Sequence, residues 1–225
     1  MSSIEPVAPV LLFRDEFLAV VDKPPGIPVQ PDRTGDLSLL QQVQSLFPEF
    51  SVGSPHRLDR PVSGITVFTL NAPALRAMDA LFRERRVTKS YLAIVEGGME
   101  PKGELIHTLS HAGGTRKAKV DRAEGEGNAR LQYTTRAVGE RFSLLEVVPE
   151  GGAFHQIRAQ LGAAGHPIKG DVKYGARRGE PDRSIALHAW RMKFTHPITG
   201  AAMALEAPMP TRSIWPALVG LVRAW

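Results

Sequence analysis

An α+β fold on a mostly antiparallel, mixed sheet with flanking helices is what this sequence predicts. Three observations carry that expectation. Short apolar runs of strand type recur along the whole chain, only a few segments have helical spacing, and the two do not alternate as a parallel βαβ series requires. The 225 residues, 43% of them hydrophobic, suffice for a substantial core and exclude wholesale disorder. No repeat and no long Pro/Gly/Ser linker divides the chain. We therefore expect one domain over residues 1–225. About eight residues precede the first strand, too few for a separate N-terminal domain.

Val10–Phe13 and Phe17–Val21 read as a strand pair around a turn at Arg14-Asp15-Glu16. Lys23-Pro24-Pro25-Gly26-Ile27-Pro28 forces an irregular turn, because proline fixes φ and removes a donor. Ser38 is an N-cap candidate. Leu39, Leu40, Val43, Leu46 and Phe47 follow at helical spacing until Pro48. Gly64–Leu70 is a short apolar strand. Pro73 to Arg86 is a helix burying Leu75, Met78, Leu81 and Phe82, with Arg83, Arg85 and Arg86 in its last turn complementing the dipole. Tyr91–Val95 is a strand. Residues 104–138 read as a β-meander with glycine turns at Gly113-Gly114 and Gly125-Glu126-Gly127. Phe142–Val148 is another strand, His155–Ala164 a helix stopped by Gly165, 186–194 and 202–206 strands, and Ser213–Trp225 a closing helix.

Composition narrows the chemistry. The 28 Lys+Arg exceed the 23 Asp+Glu, giving a formal charge of +5. Twenty of the cations are arginine, the rigid fork suited to phosphates and planar bases. The first 50 residues carry −4 and the remainder +9, so a basic face from the later chain suggests an anionic partner, nucleic acid foremost. There is no cysteine, which excludes a disulfide scaffold, a thiol nucleophile and thiolate metal sites. No apolar run reaches the ~18 residues of a membrane span, and the N-terminus lacks the order of a signal peptide. A cytoplasmic protein without a membrane partner is expected.

The densest polar cluster is His56-Arg57-Leu58-Asp59-Arg60-Pro61, one carboxylate between two guanidiniums. Pro61 biases Arg60 toward an extended conformation, which would put Arg57 and Asp59 on one side and Arg60 on the other. A carboxylate with cations nearby can serve as nucleophile or base. A loop ion pair would explain the same residues. A second cluster, Gly151 to Arg158, joins a strand to a helix, and its glycine pair would let backbone approach a ligand. A third, Lys169 to Gly175, is by itself a basic loop.

His-Arg-Leu-Asp-Arg-x-x-Ser-Gly at 56–64, Lys-x-Tyr at 89–91, Gly-x-x-His-Gln-Ile-Arg at 152–158 and Gly-Asp-x-x-Tyr-Gly at 170–175 stand in one order. Val-Val-Asp-Lys-Pro-Pro-Gly at 20–26, Leu-His-Ala at 187–189 and His-Pro at 196–197 flank them. Over about residues 10–210 the chain resembles the RluA-type pseudouridine synthases. That resemblance implies a pseudouridine synthase fold with a central active-site cleft. It implies isomerisation of a specific uridine in tRNA, rRNA or both, flipped out of the RNA, with no cofactor and no metal. Asp59 would be the catalytic carboxylate, Tyr91 the residue stacked on the base, and Arg158 the partner of Asp59 across the cleft. Arg57 would help take the place of the flipped nucleotide, His56 would support it, and His155 and Gln156 would hold the Arg158 turn. Arg60, Lys89, Lys169 and Tyr174 complete the implied substrate-contacting set, and a monomer is expected. Further phosphate-contact candidates are Arg83, Arg85, Arg86, Arg116, Lys117, Lys119, Lys173, Arg177 and Arg178. Two departures stand out. Relatives commonly carry Gly-Arg-Thr where this chain has Gly152-Ala153-Phe154, so one usual basic contact is missing. Thr-Ser-Gly-Leu becomes Val62-Ser63-Gly64-Ile65.

Other classes make weaker claims on the same residues. A non-catalytic RNA-binding or chaperone protein on this fold would not need Asp59, Tyr91 and Arg158 together. A glycoside hydrolase needs a second carboxylate, and Glu96, Glu146 and Glu150 lie in no matching motif. His107 and His111 have an i, i+4 spacing, but in a segment of strand character without the His-Glu-x-x-His order.

Overall fold

The computed structural model describes residues 9–110, 117–122 and 127–223. Its centre is one ten-stranded sheet. β1 (Val10–Arg14) and β2 (Leu18–Lys23) form the predicted hairpin, with Asp15 Oδ1 accepting the amides of Phe17 and Leu18 at the turn. Ser38 caps α1 (Leu39–Leu46) in a full capping box with Gln41. β3 (Ser63–Thr69) leads into α2 (Ala72–Arg83), capped by Asn71, and then β4 (Thr88–Glu96). β5 (Lys102–Ser110), β6 (Lys119–Arg122), β7 (Ala129–Val138) and β8 (Phe142–Glu150) follow. α3 (Gln156–Ala163) and a 3₁₀ turn (Val172–Tyr174) precede β9 (Leu187–Thr195), β10 (Ala202–Glu206) and α4 (Trp215–Val219).

The strand order is β1-β2-β3-β9-β4-β8-β7-β5-β6, with β10 paired to β9. Every pairing is antiparallel except β3 with β9, which touch at Ser63↔His188 and Gly64↔Ala189. Both faces of the inner strands are covered. On β2, Ala19 and Val21 enter the main core with Leu92, Ile94, Leu145 and Trp190, while Leu18 and Val20 join Ile65, Met78 and Leu81 beneath α2. This explains why β2 and β3 read as continuous apolar runs rather than alternating ones.

Three segments differ from the sequence reading. Residues 104–138 do not form a meander. β5 lies between β6 and β7, because β7 pairs along Lys102–His107 of β5 and not with the four-residue β6. The glycine turn expected at 113–114 falls outside the described residues, as does that at 125–127 except for Gly127. α2 ends three residues early: Arg85 takes the left-handed conformation (φ 58°) and Arg86 N–H bonds Leu81 O, a helix-ending pattern usually built on glycine. The closing helix shrinks to five residues, since Leu221 and Val222 donate to carbonyls three residues back and tighten the chain into turns.

Gly64 sits where β3 meets β9. Its φ is +111°, and a Cβ there would lie 2.3 Å from the Ala189 carbonyl oxygen. Gly64→Ala should therefore cost about 2–4 kcal/mol, from a strained backbone and a displaced strand together. Urea unfolding of the two proteins measures it, and an unchanged midpoint would refute the close-approach requirement.

Candidate active site

The seam between β3 and β9 opens into a cleft of about 460 Å³, within the size range of small-ligand sites. Asp59 lies on its floor, on the loop entering β3. Buried Lys23, at the end of β2, donates from Nζ to the carbonyls of Pro24 (2.9 Å) and Arg60 (3.1 Å). Gly26 N–H bonds the same Arg60 oxygen at 2.8 Å. The Pro-Pro-Gly turn and the Asp59 loop are thereby tied together from below. Burial pushes Lys23 down to about 7, against the favourable charge of Asp59.

Arg158, in the first turn of α3, reaches Asp59 from the opposite wall. Its NH1 donates to Asp59 Oδ2 at 2.8 Å, while Nε and NH2 grip Asp171 at 2.7 and 2.9 Å. The side chains of Arg158 and Asp171 are 6% and 1% exposed, against 25% for Asp59. Burial opposes the guanidinium charge, but Asp171 and Asp59 outweigh it and raise the Arg158 pKa above the ordinary value. Gly162 lets α3 approach this turn, since a Cβ there would stand 2.5 Å from the Tyr174 carbonyl oxygen.

Tyr91 projects from β4 into the same cleft, beside a bulge between Ser90 and Tyr91 that re-aims the strand. Burial first, then the Asp59 charge, push its phenol above its usual pKa, so it keeps its proton at neutral pH. His56 stacks on Phe82 (4.7 Å between centroids, 27° between planes), and its Nε2 accepts the Val67 amide at 2.8 Å. That amide lies on β3 beyond its two-residue pairing with β9, so the imidazole takes the place of a strand partner. Burial and then Lys89 lower its pKa to about 3. Lys89 donates to the Gly151 carbonyl and is itself lowered by burial.

His155 is the N-cap of α3, in a left-handed conformation (φ 55°, ψ 25°) and without a side-chain capping bond. Its Nδ1 lies 2.8 Å from the Tyr174 hydroxyl and its Nε2 3.6 Å from Asp59 Oδ2. Gln156 accepts the Ala153 amide and donates to the Arg130 carbonyl, bracing the entry to α3. Arg57, Arg83, Arg85 and Lys89 ring the mouth.

The expected site residues thus fall into two groups. Asp59, Tyr91, Arg158, His56, Arg57, Lys89, His155 and Gln156 line one cleft, and Tyr174 stands directly behind His155. Arg60 and Lys169 do not join them. Arg60 turns to the other side, bonding Asp32, Thr34, Asp36 and the Gly26 carbonyl; the backbone here is not the extended one expected but a turn, closed by Val62 N–H on the Asp59 carbonyl at 3.0 Å with Arg60 and Pro61 between them. Lys169 is bound by Glu180 and Ser213. Of the outer candidates, Arg86 pairs with Glu84, Lys119 with Asp121 and Arg177 with Glu96, while Lys117 lies over the Tyr174 ring. Arg116 and His111 lie outside the described residues. His107 contacts Gln160 Nε2 at 3.3 Å. Glu146 and Glu150, like Glu96, are taken up by arginines, Arg136 and Arg130. Sequence reasoning gave no role to Asp171, Lys23 or Phe82. The sequence offered only Asp171 beside Gly170 in the 170–175 motif and a lysine near the end of the apolar run Leu18–Val21.

The human structure "RNA Pseudouridylate Synthase Domain Containing 1" superposes with a TM-score of 0.76 at 26% identity, covering 93% of this chain and 88% of that one. A family model described as RNA pseudouridylate synthase matches residues 17–163. The ribosomal large subunit pseudouridine synthase C of Escherichia coli K12 is 32% identical over 228 residues, 93% of this chain and 69% of that protein. The tRNA pseudouridine synthase C of Haemophilus ducreyi is 32% identical over 217 residues, 88% of this chain and 89% of that protein. The chain belongs to the RNA pseudouridylate synthase family, and is an isomerase acting on uridine in RNA.

Asp171→Ala should destabilise the fold by about 3 kcal/mol or more, because it leaves a buried guanidinium with half its partners. Chemical denaturation measures the loss, and a change within error would show that the Asp171 contact is dispensable.

Acid stability follows from the buried imidazoles. Burial lowers His56 to about 3 and His155 and His188 to about 4, from 6.5. The unfolded chain then binds protons that the folded chain refuses, so their contribution is whole above pH 6.5 and is lost as the pH falls toward 4. Asp22, raised by burial to about 6, offsets part of this by binding a proton in the folded state first. The melting temperature should fall as the pH drops from 7 to 4.5. A flat profile would contradict the buried-neutral assignment.

Proposed function

We propose that this enzyme isomerises a uridine of ribosomal or transfer RNA with Asp59 as its catalytic carboxylate, Arg158 as the partner of Asp59, and Tyr91 as the surface on which the uracil rests. The supporting observation is the Asp59–Arg158 pair of 2.8 Å at the floor of a cleft that Tyr91 also lines. Relatives named for ribosomal and for transfer RNA align at the same 32% identity, which leaves both substrates in the proposal.

The reaction cleaves the bond between C1′ and N1, turns the uracil, and joins C5 to C1′; C5 loses a proton and N1 gains one. Asp59 opens it by attack on C1′ or by taking the 2′ proton. Tyr91, whose phenol burial and the Asp59 charge hold above its usual pKa, acts as the stacking platform for the uracil. Flipping the uridine out costs a few kcal/mol, and phosphate contacts offset it. In this reading Arg57, Arg83, Arg85 and Lys89, which line the cleft, make those contacts. We further propose that residues 1–225 act as one catalytic unit, as a monomer in the cytoplasm, with RNA and no membrane as partner. Among the described residues no helix is long and apolar enough to cross a membrane.

Asp59→Asn and Asp59→Ala should each lower turnover on unmodified rRNA or tRNA transcripts by at least about a thousandfold, with the melting temperature kept. Near-normal turnover in either would remove Asp59 from the mechanism. Loss of two phosphate contacts in the double variant Arg83→Ala, Arg85→Gly should reduce the slope of log affinity against log salt by roughly 1.5, with turnover at saturation little changed. Glycine at 85 keeps the left-handed backbone. An unchanged slope would take both residues out of the RNA path.

A further inference from the structure

The surroundings of Asp59 are asymmetric. Arg158 NH1 and His155 Nε2 both face Oδ2, at 2.8 and 3.6 Å. Among the described residues no hydrogen bond is made to Oδ1.

The proton on His155 can be located from its neighbours. The Ala118 amide lies 2.8 Å from the Tyr174 hydroxyl, and a backbone N–H can only donate. The hydroxyl accepts from Ala118, which leaves its own proton free to point at His155 Nδ1, 2.8 Å away. With Nδ1 accepting, a neutral ring carries its proton on Nε2, the nitrogen facing Asp59. Burial, helped by Arg158 and Lys173 and resisted by Asp59 and Asp171, keeps the ring neutral.

Two further observations show that the ring is held in place. Phe154 stacks on it at 3.9 Å and 18°. The His155 backbone is left-handed, a conformation that costs a residue with a Cβ about 1 kcal/mol or more, although the side chain caps nothing. The turn 170–175 supports both partners of Asp59: Asp171 holds Arg158 and Tyr174 holds His155.

We propose that His155 is a positioning residue for Asp59, its tautomer set by Tyr174, whose Nε2–H orients Oδ2 so that Oδ1 is the oxygen that meets the ribose. The proposal rests on Asp59 being the catalytic carboxylate.

Nitrogen-15 NMR of the labelled wild-type protein at pH 7 tests the tautomer directly. The expected result is His155 with Nδ1 unprotonated and Nε2 protonated, lost to a mixture in Tyr174→Phe. An Nδ1–H tautomer in the wild type would overturn the proposal. Kinetics of His155→Leu and His155→Gln test the donor, since both residues strain the backbone alike but only glutamine can place an N–H near the Nε2 position. Leucine should lower kcat about tenfold to a hundredfold with KM within about threefold, and glutamine should restore most of it. Equal rates in the two variants would overturn the proposal. Asp59→Asn, run in parallel, separates the two readings. If it is inactive while His155→Leu matches the wild type, only the role of His155 fails. If it turns over normally, the Asp59 reading fails and this proposal with it.

Discussion

One guanidinium between two carboxylates is the constraint around which the site is built. Arg158 spans 99 residues of sequence to Asp59 and 13 to Asp171, and it is almost completely buried. Removing such charges from water costs several kcal/mol per ion, recovered only when geometry is good and each polar atom is partnered. The fork meets that condition by using Nε and NH2 on one carboxylate and NH1 on the other. Two loops and the first turn of α3 are held in register by this one side chain. The Asp59 oxygen nearest it is fixed by the same geometry that keeps Arg158 charged.

The rest of the structure supplies rigid supports for that arrangement. Lys23 and the Gly26 amide hold the backbone on one flank of Asp59, and the Arg60 clamp to Asp32 and Asp36 holds the turn beside it. Ser63 Oγ and His188 Nδ1 share a buried 2.9 Å hydrogen bond across the junction of β3 and β9. The clamp has partly exposed partners and acts through position more than through stability. His56 shows how economical the arrangement is: one imidazole completes a strand edge, stacks on Phe82 and forms part of the cleft wall.

Local physics was legible in the sequence. The Ser38 cap, the hairpin turn between β1 and β2 and the apolar strands all follow from nearest neighbours. The ordered motifs also marked Asp59, Tyr91 and Arg158, which the fold brings into one cleft. What escaped was non-local. The position of β5 between β6 and β7 depends on which strand reaches its free edge, and no spacing records that. Arg60 and Lys169 were counted with the substrate contacts on the resemblance, yet they are taken up by partners 24 to 28 and 11 to 44 residues away. Asp171 was quoted within a motif, but its value lies in facing Arg158, a fact of packing alone.

The junction of β3 and β9, only two residue pairs long, divides the sheet into unequal parts. Asp59 belongs to the chain on one side, while Tyr91 and Arg158 belong to the other. On the mechanism proposed above, neither part owns a complete reaction centre, and catalytic competence is a property of their union: a stretch that omits either shore of the cleft lacks a group which that mechanism uses.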